Sequence, residues 1–166
     1  VKTSRVESGA LAMTPKRHGI HQLLDAASAQ AAPGAEAKAI TLTVEPTDLT
    51  ARFDPKWTAE ALYNLVDNAV KYTPAGGAVT LRAVGYELFC RVDVTDTGPG
   101  IPESEQARIF QRFYRSPSAS EAEGVGIGLY LARQIAAGQG GYLKVSSRPG
   151  EGSTFSLFLP RAEERT

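Results

Sequence analysis

The sequence predicts an α+β sandwich, in which one mixed, mostly antiparallel sheet of about five strands is covered on one face by about three helices. Two observations lead to this class. Segments whose apolar residues alternate, as in half-buried strands, are interspersed with segments whose apolar residues recur at helical spacing. The chain also has 166 residues, of which 42% are hydrophobic, so it can bury the core of one domain.

The N-terminal part of the chain is predicted to be helical. We expect residues 1–10 to be the end of one helix and residues 18–32 to form a second, which Pro33 and Gly34 terminate. KRHGIHQLL belongs to this second, linker helix. Because VKTSRVESGAL lacks an initiator Met, we expect the chain to be a fragment of a longer protein.

Strands, helices and turns then alternate to the end of the chain. The first predicted elements are two short strands, AITLTVEP and TARFDP, and a long helix over residues 55–72. Next come a hairpin, AVTLRAVGYELFCRVDVTD, a loop, DTGPGIP, and a short helix, ESEQARIFQRF. The last are a further helix, IGLYLARQIAAG, and a strand pair, GYLKVSS and GSTFSLFLP. Their mixed order indicates one mixed sheet that is covered by helices on one face.

The composition argues against several classes of function. Eighteen basic residues balance eighteen acidic residues, so no net charge favours nucleic acid or an anionic membrane surface. The single cysteine, Cys90, cannot form an internal disulfide, which fits a reducing compartment. No apolar segment reaches the length of a membrane span. We therefore expect a cytoplasmic domain without nucleic-acid binding or direct membrane contact, in which any phosphate site is local.

The helix over residues 55–72 has an unusual polar face. Opposite its apolar side lie Glu60, Asn64, Asp67, Asn68 and Lys71. One interpretation is an ordinary solvated face with an Asp67–Lys71 ion pair. The other is a seat for magnesium and a polyphosphate, because asparagine is a poor helix former whose amide oxygen can bind a hard cation. Taken alone, this helix leaves both interpretations open.

Two glycine-bearing segments are candidates for ligand contact. In DTGPGIP, Asp96 ends a strand and could accept a hydrogen bond from an exocyclic amine, but the segment is equally typical of a tight turn. In EGVGIGLYLARQ, alternating glycines precede a helix N-terminus, which favours phosphate. The second segment lacks the Lys-Ser/Thr of a Walker loop and the glycine spacing of a dinucleotide fingerprint.

The segment FQRFYR lies between these two loops and carries Arg112 and Arg115. Its aromatic residues could anchor a lid while the arginines reach anionic oxygens. Aromatic residues at this spacing are also common in an ordinary core, so the segment alone does not decide between the two.

In this order and spacing, the segments resemble the catalytic ATP-binding domain of sensor histidine kinases, which has the Bergerat fold of type II topoisomerases and some chaperones. The matching segments are NLVDNAVKYTP for the asparagine box, DTGPGIP for the first glycine box, IFQRFYR for the phenylalanine box, GVGIGLYLA for the second glycine box, and GEGSTFSLFLP for the final strand pair. SRVESGAL resembles the last turn of the family's dimerisation hairpin. We therefore expect residues 1–35 to be hairpin end and linker, and residues 36–166 to be the catalytic domain.

The resemblance implies a site for ATP and Mg²⁺. Asn68 would be the direct magnesium ligand, Asn64 would support it, and Lys71 would contact phosphate oxygens. Tyr72 would stack along the adenine, whose amino group Asp96 would bind. The other implied site residues are Gly98, Gly100 and Ile101 around the adenine, Gly124, Val125, Gly126, Ile127 and Gly128 in the hinge of a lid, Leu129 behind it, Thr154 at the polar back wall, and Arg112 or Arg115 at the γ-phosphate. We expect the lid, residues 116–123, to be mobile.

The implied reaction is transfer of the γ-phosphoryl group to a histidine. Related folds that hydrolyse ATP or phosphorylate serine place a glutamate general base where Asn64 stands, whereas an imidazole already carries an attacking lone pair. Neither His18, followed by Gly, nor His21, followed by Gln, matches the family's phosphoacceptor motif. The acceptor would therefore belong to a dimerisation domain that is missing from this chain.

The resemblance also implies partners and leaves two alternatives. The expected partners are the dimerisation domain of the same kinase and a response regulator, with the isolated domain monomeric and its parent a membrane-bound sensor. The alternatives are a serine kinase or ATPase of the same fold, and a module that binds a partner without using nucleotide.

Overall fold

The computed structural model describes residues 12–106, 108–109 and 127–161. Its elements, in chain order, are β1 (Lys16–Gly19), α1 (Ile20–Ala37), β2 (Thr41–Val44), β3 (Thr50–Phe53), α2 (Pro55–Tyr72), β4 (Ala78–Gly85), β5 (Phe89–Asp96), α3 (Glu103–Gln106), α4 (Ile127–Gly138), β6 (Tyr142–Ser147) and β7 (Ser153–Pro160). The helix end expected over residues 1–10 and the lid expected over residues 116–123 lie outside the described residues.

A five-stranded sheet is the framework of the domain. Its strand order is β2-β4-β5-β7-β6, and β1 pairs with β3 in a separate two-stranded sheet. β2 runs parallel to β4, and every other neighbouring pair in the large sheet is antiparallel. The predicted mixed, mostly antiparallel sheet of about five strands is confirmed.

The core lies between one face of this sheet and three helices. The sheet contributes alternate side chains of β4, β5 and β7: Val79, Leu81, Cys90, Val92, Val94, Phe155, Leu157 and Leu159. α2 packs between α1 and α4, and all three helices contact the sheet. The predicted covering of one face by three helices is also confirmed. Within the described ranges, no helix combines the length and apolar character needed to cross a membrane.

The helix α2 begins and ends where the sequence predicts. Asp54 is its N-cap and accepts a hydrogen bond from the Trp57 N–H at 3.0 Å, and Pro55 occupies the first helical position. At the other end, Thr73 is extended and its N–H donates to the Ala69 carbonyl. Pro74 follows, which favours the extended conformation of the residue before it.

A buried polar network holds the N-terminal end of α2. Asp54 Oδ2 accepts from the Thr14 N–H at 2.8 Å, and the Asp54 N–H donates to Gln139 Oε1 at 2.9 Å. Gln139 Nε2 donates to Thr58 Oγ1 at 2.6 Å. Burial raises the pKa of Asp54, but the hydrogen bonds from Thr14 and Trp57 outweigh it, so the pKa lies below its ordinary value of 3.8. The network joins the N-terminal segment, α2 and the end of α4.

The start of α1 differs from the prediction. Residues 16–19 form β1, which pairs antiparallel with β3, and the helix begins only at Ile20. The His18 ring lies 5.4 Å from the Phe53 ring across this pair. Pairing with a strand remote in sequence determines the conformation here, and local propensity cannot reveal such a partner.

The end of α1 differs as well, because the helix continues past Pro33 and Gly34 to Ala37. Ala31 and Ala35 flank the proline and are both buried. The burial on either side offsets the loss of one helical hydrogen bond at Pro33. The boundary expected at residue 35 thus falls inside α1, whose buried residues belong to the same core as the sheet. The assignment of residues 1–35 to a hairpin end and linker stays a prediction.

Candidate nucleotide-binding site

The polar face of α2 presents two amide side chains, Asn64 and Asn68. Asn64 and Asn68 lie one turn apart and are half-buried, while Leu65 and Val66 on the opposite face are fully buried. No hydrogen bond joins either amide to another of the described residues. Two neutral oxygens one turn apart, beside solvent, fit a hard cation that also takes water and phosphate ligands.

Lys71 makes the ion pair that the ordinary interpretation predicts. Its Nζ lies 3.1 Å from Asp67 Oδ2, and each side chain is 33% exposed. This pair holds the lysine on the same face as the asparagines but restrains it only weakly, because a half-exposed ion pair contributes little stability. The same carboxylate also affects a neighbouring side chain: burial raises the pKa of Tyr63, and the Asp67 carboxylate raises it further.

Asp96 ends β5 as a buried carboxyl, one oxygen of which accepts no hydrogen bond from the described residues. Its Oδ1 accepts from the Gly98 N–H at 2.8 Å and from the Ser153 N–H at 3.3 Å. Burial raises the pKa of Asp96 above its ordinary value of 3.8, and the two N–H groups oppose this only in part. Among the described residues, no donor reaches Oδ2, so this oxygen can accept a hydrogen bond from a ligand amine.

The loop after β5 lies against the end of α2. A Cβ atom on Gly98 would stand 3.1 Å from the Tyr72 carbonyl oxygen, 3.1 Å from Asp96 Oδ1 and 3.4 Å from Thr73 Oγ1. Such distances are tighter than ordinary packing. The structure thereby brings together Tyr72, Gly98 and Asp96, three residues that the resemblance assigns to the adenine end of one site.

The same loop is held from its other side by the turn between β6 and β7. Gly100 has a φ of +83°, and a Cβ there would meet the Arg148 carbonyl oxygen at 2.0 Å, so both conformation and space require glycine. The Ile101 N–H donates to Ser147 Oγ at 2.7 Å. Gln106 Nε2 donates to the carbonyls of Ile101 and Ser147. Neither Ser147, at the end of β6, nor Gln106, at the end of α3, could be predicted, because no local pattern reveals a contact between segments that are distant in sequence.

Thr154 does not lie where the resemblance implies. Its Oγ1 is 3.0 Å from Thr95 Oγ1 on the face of the sheet opposite Asp96. The residue paired with Asp96 is Ser153, which is buried. Side chains alternate along a strand, so Ser153 shares a face with Phe155 and the core. The alternation of Phe155, Leu157 and Leu159 could have identified Ser153 as the residue at the back of the site.

The remaining expected site residues lie at or beyond the limit of the described chain. Leu129 is buried in α4, and Ile127 and Gly128 are the first two residues of that helix. The others lie outside the described residues: Arg112, Arg115, Gly124, Val125 and Gly126. The two histidines lie at the N-terminal part of the fold: His18 is in β1, and His21 Nε2 pairs with Asp25 at 3.3 Å on α1.

A family comparison matches residues 53–163 to the histidine kinase-, DNA gyrase B- and HSP90-like ATPase family. The adaptive-response sensory kinase SasA of Synechococcus sp. (strain JA-3-3Ab) is 42% identical over 131 residues, which are 77% of this chain and 35% of that protein. The sensor protein DivL of Caulobacter vibrioides is 36% identical over 163 residues, 97% of this chain and 21% of that protein. The chain thus spans about a third or less of these relatives.

Solved structures agree with the sequence relatives. The mycobacterial sensor histidine kinase MprB superposes with a TM-score of 0.79 at 27% identity, over 90% of this chain and all of that one. Full-length ShkA, solved in complex with AMPPNP, gives a TM-score of 0.81 at 29% identity, over 96% of this chain and 34% of that one. With the asparagine-bearing helix and the buried Asp96 beside it, these matches establish that the chain belongs to the histidine kinase-, DNA gyrase B- and HSP90-like ATPase family, as an ATP-binding catalytic domain of the sensor histidine kinase type.

Proposed function

We propose that this domain binds Mg²⁺-ATP and transfers the γ-phosphoryl group to a histidine on the dimerisation domain of its kinase. The observation that carries the proposal is the placement of Asp96, whose Oδ2 no donor of the described residues reaches, against the end of the helix that presents Asn64, Asn68 and Lys71. The ShkA structure supports it, because that similar chain was solved with an ATP analogue.

Each residue has a distinct task in binding. Asp96 Oδ2 accepts a hydrogen bond from the adenine amino group, and Tyr72 stacks along the base. Lys71 leaves Asp67 to contact phosphate oxygens. Asn68 would bind the magnesium ion directly and Asn64 would support it, and the ion would neutralise phosphate charge. Among the described residues, no cluster of three or more His, Cys, Asp or Glu side chains could hold a metal.

The chemistry needs positioning more than a base. The lone pair of an imidazole nitrogen forms the new bond to the γ-phosphorus, and the bond from that phosphorus to the bridging oxygen of ADP breaks. Asn64 cannot remove a proton, which disfavours attack by water or serine. Arg112 or Arg115 would contact the γ-phosphoryl oxygens.

In the whole protein, the domain would act together with parts that lie outside it. The nucleophilic histidine would lie on the dimerisation domain, and the phosphoryl group would pass on to a response regulator. Residues 1–35 would end the hairpin and form the linker, and the isolated domain would be monomeric. The parent would be a sensor whose catalytic portion is cytoplasmic.

Calorimetric titration with AMPPNP, with and without Mg²⁺, tests the proposal. We expect saturable binding that Mg²⁺ strengthens, that Asn68→Ala weakens chiefly in the presence of Mg²⁺, and that Asp96→Asn weakens at least about tenfold. Glu87→Gln, which removes an exposed carboxyl in the β4–β5 turn, is the control and should bind like the wild type. A folded domain that binds no AMPPNP would favour the partner-binding alternative, and steady ATP hydrolysis by the isolated domain would favour the ATPase alternative.

The pH dependence of binding follows from the raised pKa of Asp96. Protonation of Oδ2 would turn this acceptor into a donor, so affinity should fall as the pH falls through the raised pKa of Asp96, which lies above 3.8. Asp96→Asn should flatten the profile. An unchanged profile in that variant would mean that Asp96 does not contact the adenine.

A further inference from the structure

We propose that Lys38 is a positioning residue of the nucleotide site, which fixes the C-terminal end of α2 and offsets the negative charge of that helix end. This inference rests on the proposed function. Lys38 lies outside every segment that carries the family resemblance, at the junction of α1 and β2.

The side chain of Lys38 caps a helix other than its own. Its Nζ donates to the Val70 carbonyl oxygen at 3.0 Å and also to the Lys71 carbonyl oxygen. These carbonyls belong to the last turn of α2, where no helical N–H is available to bind them. Thr73 satisfies the preceding one, since its N–H and its Oγ1 both donate to the Ala69 oxygen. Lys38 therefore completes the cap of α2.

The main chain holds Lys38 in place for this contact. At the end of α1, the Ile40 N–H donates to the Ala35 oxygen at 2.8 Å and the Ala39 N–H to the Glu36 oxygen at 3.1 Å. This is a Schellman motif, with Ala39 in the left-handed region at a φ of +61°. The Ala39 carbonyl then accepts from the Gly76 N–H at 3.0 Å. The base of the lysine is thus joined to the connection that follows α2.

The charge of Lys38 matters because of what lies at this helix end. A helix C-terminus carries roughly half a negative charge, which repels an anion. Lys71 and Tyr72 are the last two residues of α2, and the proposed function puts a polyphosphate and an adenine beside them. The Asp67 carboxylate adds a further negative charge on the same face. The ammonium of Lys38, bound directly to the terminal carbonyls, makes this end acceptable to a polyanion.

A purely structural role predicts a different result from an electrostatic one. If Lys38 only kept the end of α2 folded, its loss would weaken every ligand that uses Tyr72 and Asp96, charged or not. If its charge matters, ligands with phosphates should suffer and adenosine should not.

The test compares Lys38→Met with Lys38→Arg, using AMPPNP and ADP by calorimetry and adenosine by NMR titration. We expect Lys38→Met to weaken AMPPNP and ADP by about three- to tenfold and adenosine by less than about twofold, since a cation at a helix end contributes on this scale. Lys38→Arg should restore the wild-type values. Lys144→Met, which removes an exposed lysine from β6, should bind all three ligands normally.

Equal weakening of all three ligands, or no weakening at all, would overturn the proposal. A wild-type domain that binds none of them would instead refute the proposed function, so the two failures are distinguishable. Urea unfolding, followed through the only tryptophan, Trp57, checks that each variant is folded. Should Lys38→Met fail to fold, Lys38→Gln keeps a hydrogen-bond donor without the charge and gives the same comparison.

Discussion

The two ends of α2 are held by different means. At the N-terminal end, Asp54, Thr58 and Gln139 are each less than 10% exposed and bond to one another. At the C-terminal end, Lys38, Lys71 and Tyr72 are half-buried, and one lysine side chain closes the cap. One end is anchored in the core, and the other remains open toward the proposed ligand.

The difference separates stability from binding along a single helix. When a buried polar group loses its partner, the free energy of unfolding falls by the full cost of desolvating that group, whereas a half-exposed group can form a hydrogen bond with water instead. Changes at the N-terminal end should therefore alter the free energy of unfolding and leave the affinity for nucleotide unchanged. Changes to the side chains that face the proposed ligand at the C-terminal end should chiefly alter the affinity for nucleotide and should change the free energy of unfolding little.

The largest effect is expected at Gln139. Gln139→Leu removes the acceptor of the Asp54 N–H and the donor to Thr58 Oγ1, so it should lower the free energy of unfolding by about 2–4 kcal/mol. Urea unfolding followed by Trp57 fluorescence measures this. Gln22→Leu, at an exposed position of α1, is the matched control and should change stability little. A weaker affinity of folded Gln139→Leu for AMPPNP would contradict the separation.

A smaller effect, with a distinctive pH dependence, is expected at Asp54. Asp54→Asn keeps a good N-cap but sets an amide against the Thr14 N–H, which should cost about 1–2 kcal/mol at pH 7. Because the folded pKa is lowered, the stabilisation is present above the unfolded pKa and is lost as the pH falls through the folded one. The difference between wild type and variant should shrink below about pH 5.

The difference in the free energy of unfolding between wild type and Asp54→Asn reports on Asp54 alone. Asp96, whose raised pKa gives the opposite dependence on pH, contributes equally to both proteins. Unfolding in urea between pH 7 and the acid limit of the native state provides the data. A difference that stays constant with pH would show that the charge of Asp54 is not what holds this helix end.

Relief of backbone strain is expected at Ala39, beside the C-terminal end. Ala39→Gly removes a Cβ from the left-handed region and should raise the free energy of unfolding by up to about 1 kcal/mol. Ala37→Gly, the same substitution two positions earlier within α1, should lower it by about 1 kcal/mol. Opposite signs in thermal or urea unfolding would confirm the Schellman motif, and equal signs would contradict it.

The smallest effect is expected at Asp67. Asp67→Asn frees Lys71 from its ion pair and should tighten the binding of AMPPNP by about twofold, the scale of an exposed helical pair. Calorimetry at low and high salt measures it, since screening should reduce the gain. Asp25→Asn, which breaks the similar pair with His21 on α1, should leave the affinity unchanged. A loss of affinity would mean that Asp67 itself helps to hold the ligand.

Local patterns were sufficient where the determinant was local. The bounds of α2 follow from Asp54, Pro55 and Pro74, and the β4–β5 hairpin follows from two alternating segments. β1 could not be predicted, because its partner β3 lies some thirty residues away in sequence and is known only from the fold. The continuation of α1 through Pro33 likewise depends on what Ala31 and Ala35 contact.

The residues of the candidate site also fall into those that sequence patterns reveal and those that only the fold reveals. The asparagines, Lys71 and Asp96 were found through segment order, and Ser153 could have been found through strand alternation. Lys38 could not, because its contact with the Val70 carbonyl joins two connections that only the packing of α1 against α2 brings together.

The pairing of Asp96 with Ser153 has a consequence for how freely this family can vary. Residues 97–152 connect these two paired residues and carry α3, α4 and the sheet strand β6, so they form one closed loop in the chain. Closing such a loop costs only about 0.6 kcal/mol more for each doubling of its length. Lengthening a surface connection of this loop, outside α4 and β6, would therefore change the free energy of folding little, whereas an insertion within α4 would disturb the buried residues Leu129, Ala132 and Ile135.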